Sequence, residues 1–138
     1  MNPRHDPARP ADPAFRRRGP ALPRHATWLR HELDDWARAR ALPDPVREAL
    51  ALAGYEAMAN AVTHAYPART TGFLEVTACE EAGAATVVVT DHGQWRPPPP
   101  VAGALRGRGL ALIHALAGRT SVDTREHGTT VTMTWPLP

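Results

Sequence analysis

The chain has 138 residues, 43% of them hydrophobic, and a formal net charge of +2. That length suits one domain with a proper core, and no apolar stretch approaches the roughly 20 residues needed to cross a bilayer, nor does the N-terminus carry the apolar centre of a secretory signal. A soluble, cytoplasmic protein with no membrane contact is therefore expected. All sixteen basic residues are arginine, which excludes a phosphate-binding loop built on lysine and leaves arginine, backbone amides or a metal to hold any phosphate.

In chain order, residues 1–24 hold six Arg against two Asp, a net +4, while the other ten Arg and twelve acids give −2. The pI near 9.3 thus belongs to the N-terminus, not to a basic globular surface. Six prolines in residues 1–24 and few apolar side chains there predict a flexible basic tail over 1–20, with 21–138 as one domain. Phe15 to Arg18 has the composition for a short edge strand at most. The arginine run is the only support for a DNA-binding regulator, and no direct nucleic-acid contact is expected.

Trp28, Leu29, Leu33, Trp36 and Ala37 recur at helical spacing and predict a helix over 24–40. Asp44 offers an N-cap with Pro45 in the first turn, predicting a second helix over 45–65 that stops before Pro67. Gly72 to Ala78 alternates as a strand does, and Ala85 to Thr90 is a short β-branched run ending at Asp91. Residues 93–107 contain four consecutive prolines and read as a loop. Leu110 to Leu116 is apolar enough for a buried helix, and strands near 121–125 and 129–135 flank a turn at His127 and Gly128. This order predicts an α+β two-layer sandwich: a mixed, mostly antiparallel sheet with helices on one face. The single Cys79 has no partner for a disulfide or a metal cluster and is expected to be a strand residue.

The chemistry concentrates in four places. Glu56, Asn60 and His64 fall at i, i+4 and i+8, so a helix stacks a carboxylate, an amide and an imidazole along one stripe. An amide oxygen suits Mg²⁺, which keeps several waters and bridges nucleotide phosphates, and a carboxylate one turn earlier can orient or deprotonate a nucleophile. Asp91 closes a hydrophobic strand two residues before Gly93; such a carboxylate can accept a hydrogen bond from an exocyclic amine, and the glycine lets a planar ring approach the backbone. Gly107-Arg108-Gly109-Leu110 opens a helix, where backbone amides and the helix dipole favour an anion, with Arg106 and Arg108 as charged donors. Thr129 and Thr130 follow Gly128 as strand residues.

In this order the motifs resemble the nucleotide-binding boxes of the Bergerat, or GHKL, ATP-binding fold of gyrases and histidine kinases. Within it, Glu56-x-x-x-Asn60-Ala-x-x-His64-Ala-Tyr66, Asp91-x-Gly93 and Gly107-Arg108-Gly109-Leu110 look most like the anti-sigma factor serine-protein kinases of bacteria. The resemblance spans residues 20–136. It implies ATP or ADP with Mg²⁺ as cofactors, Asn60 as the Mg²⁺ ligand, Glu56 as general base, and Asp91 on adenine N6 with help from the Thr130 hydroxyl. Gly93, Gly107, Gly109 and Leu110 would shape the pocket, Arg108 would meet the phosphates, and residues 94–106 would form a lid. It further implies a homodimer that sequesters a sigma factor and phosphorylates a serine of an anti-anti-sigma antagonist of the STAS fold. Two alternatives stay open: a nucleotide-binding interaction module without kinase turnover, and the detached catalytic domain of a histidine kinase.

Overall fold

In the computed structural model, which describes residues 14–66, 72–93, 113 and 116–138, the elements run β1 (Phe15–Pro20), α1 (Pro23–Ala39), α2 (Asp44–Asn60), a π-helical turn (Ala61–Ala65), β2 (Phe73–Glu81), β3 (Ala84–Asp91), β4 (Arg119–Arg125) and β5 (Gly128–Pro136). Helix α1 forms where expected because Ala26, Leu29, Leu33 and Ala37 return to one face every three or four residues, and all four are buried. Helix α2 starts on Asp44 and Pro45, but Asp44 is not its cap: Pro43 occupies that position without a side-chain bond, and the Asp44 carboxylate lies in the first turn, where the helix dipole favours it. Arg47 ties the helices together, its Nη1 donating to Asp34 Oδ1 at 2.8 Å.

The strands form one sheet in the order β1-β2-β3-β5-β4, and every pairing among the described residues is antiparallel, so the expected mixed character is absent from them. Two hairpins set most of that register. The β2–β3 turn is Ala82 and Gly83, at φ 54° and 75°, the left-handed pair whose twist matches a two-residue hairpin. The β4–β5 turn is Glu126 and His127. Strand periodicity then divides the sheet into two faces. Leu74, Val76 and Ala78 of β2, Ala85, Val87 and Val89 of β3, and Val131, Met133 and Trp135 of β5 are buried in one core with Leu29, Leu33, Leu50 and Met58 of the helices. The result is the two-layer α+β sandwich. Of the helix expected over 110–116, only Ile113 and Leu116 are described; Ile113 is fully buried, and the Leu116 carbonyl accepts from Trp135 Nε1 at 2.8 Å. No helix among the described residues is long and apolar enough to cross a membrane.

The expected domain boundary at residue 20 needs correction. Phe15–Pro20 pairs with β2 along its whole length, from Phe15 opposite Ala78 to Pro20 opposite Phe73. Phe15 is 3% exposed and tilts against Trp36 with ring centroids 6.3 Å apart. One buried aromatic ring plus six residues of backbone pairing outweigh the poor apolar content that suggested a tail. The arginines are matched on both sides of the strand: Arg16 pairs with Glu75 of β2 and Arg17 with Glu32 of α1. Residues 1–13 lie outside the described set.

His25, in the first turns of α1, stacks on Trp28 at 5.5 Å, and its Nε2 is buried against Gly19 of β1 without a hydrogen-bond partner among the described residues. Burial therefore holds the imidazole below its ordinary pKa of about 6.5. Because the folded state disfavours the proton, stability is fully present above that value and declines as pH falls beneath it. Melting temperatures at pH 7.5 and 5.5 should differ more in the native chain than in His25→Phe; equal differences would remove His25 from the acid response.

Candidate functional site

The site is built at one end of the covered face of the sheet. Small side chains let α2 lie close over the strands: Ala51, Ala53, Gly54 and Ala57 are all buried. Glu56 and Asn60 sit one turn apart, both half-buried, at the end of this close-packed stretch. Past Asn60 the backbone widens into the π turn, a rare geometry that concentrates at functional sites. The straight stripe expected for Glu56, Asn60 and His64 therefore holds in α-helical geometry only as far as Asn60; His64 is exposed on the π turn.

Beneath the end of α2, Asp91 closes β3. It is 2% exposed, on the same side of the sheet as Val87 and Val89. Directly opposite in register stands Thr129, also 2% exposed, and its hydroxyl has no hydrogen-bond partner among the described residues. A buried hydroxyl without a partner costs free energy, so this threonine beside a buried carboxylate leaves room for a further polar group to complete the bonding. Thr130 is the residue the sequence resemblance favoured, and the sheet places it elsewhere. It pairs with Thr90 and points to the face away from the helices, because successive strand residues alternate sides. The carboxylate–hydroxyl pair is Asp91 with Thr129.

Glycines make the approach to this pair possible. Gly93 is buried, its amide donates to Asp91 Oδ1 at 3.1 Å, and a Cβ on it would overlap the carbonyl oxygen of Ala65 in the π turn. A Cβ on Gly128 would come within 2.5 Å of the Asp91 carbonyl oxygen. The structure thus brings the turn after Asn60 against the Asp91-His92-Gly93 segment. Gly107, Arg108, Gly109 and Leu110, together with residues 94–106, lie outside the described residues.

Chemically, a buried carboxylate beside a hydroxyl that has no partner among the described residues can take a planar heterocycle bearing an amine. Asn60 offers one neutral oxygen. Among the described residues no three His, Cys, Asp or Glu converge, so a cation at Asn60 would complete its shell with water and ligand phosphates, a set that suits Mg²⁺.

A family model for the histidine kinase-like ATPase domain matches residues 19–135. Among solved structures, the RsbU and RsbW domains of Rv1364c from Mycobacterium tuberculosis superpose with a TM-score of 0.68 at 23% identity, over 91% of this chain and 33% of that one. The histidine kinase domain of a blue-light activated histidine kinase from Erythrobacter litoralis gives 0.56 at 24% identity, over 69% of this chain and 46% of that one. The chain thus spans about a third to a half of the structures it resembles. No match is found among curated protein sequences. With the matched stretch running from the last residues of β1 to the last of β5, and with Asn60 and the Asp91 turn inside it, the chain belongs to the histidine kinase-like ATPase domain family.

Proposed function

We propose that the chain is an ATP-binding anti-sigma regulatory factor that sequesters a sigma factor and phosphorylates a serine of a STAS-fold antagonist. The observation that carries the nucleotide part is the buried Asp91 carboxylate beside the Thr129 hydroxyl, which has no partner among the described residues. The regulatory part rests on the wording of the motif from Glu56 to Tyr66 and on the fold shared with an RsbW domain. In this reading Asp91 accepts from the adenine amine, and Thr129 takes the role first given to Thr130. Asn60 holds Mg²⁺, which when bound neutralises charge on the phosphates. Glu56 accepts the proton of the attacking serine hydroxyl as its oxygen bonds to the γ-phosphorus and ADP departs. Gly107 to Leu110, with Arg108 on the phosphates, would complete the pocket, and the active unit would be a homodimer.

The test is incubation with labelled ATP and a serine-bearing STAS protein. Transfer of label supports the kinase; binding of nucleotide and partner without transfer assigns the non-phosphorylating interaction module. A lack of ATP binding removes both.

The two threonines separate cleanly. Thr129→Val should weaken ATP binding roughly three- to tenfold while raising, or leaving unchanged, the melting temperature of the unliganded chain, since it deletes a hydroxyl that has no partner among the described residues. Thr130→Val should leave affinity unchanged. Calorimetric titration and thermal melts of both variants decide between them, and the opposite ranking of affinities would restore Thr130.

A further inference from the structure

Three segments, one of them 26 residues away in sequence, meet at one phenol oxygen. Tyr66 follows the π turn; its hydroxyl donates to the Phe73 carbonyl at 2.5 Å and accepts from the His92 amide at 2.9 Å. Phe73 opens β2, and His92 lies between Asp91 and Gly93. The same turn is fastened from its other side, where Gly93 packs against the Ala65 carbonyl and a Cβ on it would lie 2.9 Å from the Tyr66 ring. Tyr66, at the end of the π turn that begins past Asn60, therefore bridges that turn to the backbone just after Asp91.

We infer that the Tyr66 hydroxyl is a positioning group that sets the placement of the Asp91 turn relative to Asn60, and so governs selectivity for adenine. The inference rests on the reading of Asp91 as the acceptor for the base. A phenol has few rotatable bonds, and this one uses its single hydrogen and a lone pair at once, so drift of either strand end breaks one of the two bonds. A carboxylate that must meet an exocyclic amine tolerates little such drift. Guanine, which presents a carbonyl where adenine presents its amine, gains nothing from a well-placed Asp91.

The experiment compares ATP and GTP binding to the full native chain and to Tyr66→Phe, which keeps the ring and deletes the bridge. ATP affinity should fall roughly three- to tenfold and GTP affinity much less, so the preference narrows. At saturating ATP, kcat for phosphoryl transfer should change far less than KM. Exchange of the His92 amide should accelerate while the amides of Val87 and Val89 stay protected. A native chain that binds ATP no better than GTP removes the adenine reading, and this inference with it. A native preference that survives intact in Tyr66→Phe overturns the role of Tyr66 alone. If the variant does not fold, the native chain carrying 3-fluorotyrosine, its two resonances assigned with Tyr55→Phe, takes its place. The Tyr66 fluorine signal should shift on saturation with ATP and not with GTP, and an identical response to both overturns the inference.

Discussion

Glu56→Gln is expected to slow phosphoryl transfer by about 100-fold or more while leaving ATP affinity nearly unchanged. Glutamine has the size and helix propensity of glutamate, and Glu56 is only half-buried on α2, so neither the helix nor its packing is disturbed. What disappears is the ability to take a proton. If the carboxylate acts only on the attacking hydroxyl, the loss falls on the chemical step and not on ground-state binding of nucleotide. Single-turnover transfer from labelled ATP, alongside calorimetric affinity, reads the two separately. Transfer at the native rate in Glu56→Gln would remove the base role, and a parallel loss of affinity would make Glu56 a binding residue instead.

Asp91 gives the second large effect. Asp91→Ala should weaken ATP binding by about 1–3 kcal/mol, because a charged acceptor is lost at a buried site. That substitution also strips the Gly93 amide of its bond to Oδ1, so part of the loss would reflect a loosened turn. Asp91→Asn separates the contributions. Its remaining oxygen still accepts from Gly93, while the new amide nitrogen confronts the adenine amine with a second donor. Comparable losses in both variants, with the melting temperature of Asp91→Asn close to native, assign the effect to base recognition. Unchanged affinity in Asp91→Asn would withdraw adenine from this carboxylate.

Much of the architecture was legible because its signals are periodic. Leu29, Leu33 and Ala37 mark one stripe of α1, and Val87 and Val89 mark the buried side of β3, both within a residue or two of their expected extents. Four features were not fully legible, each for a physical reason. Strand β1 was visible only as a possible short edge strand over Phe15 to Arg18; with one buried aromatic and three arginines, its full extent comes from pairing with β2, a partner more than fifty residues away. The π turn carries the same alanine-rich composition as the helix before it, so periodicity cannot show where the winding changes. Thr129 and Thr130 are chemically identical neighbours, and only the register that sets Thr129 opposite Asp91 separates them. Tyr66 stood inside a motif, but its task depends on Phe73 at the start of β2 and His92 just past the end of β3 arriving beside it.

Among the described residues β1 is also the outermost strand on its side of the sheet. Without it, nine residues of β2 would present open backbone donors and acceptors, beginning with exposed Phe73, a template on which another chain could add itself. With it, the outward rim is short, carries Arg16, Arg17 and Arg18 in succession, and ends in Pro20, which has no amide hydrogen to offer. The strand that composition assigned to a tail thus closes one edge of the sheet among the described residues, leaving β4 as the outer strand on the other side.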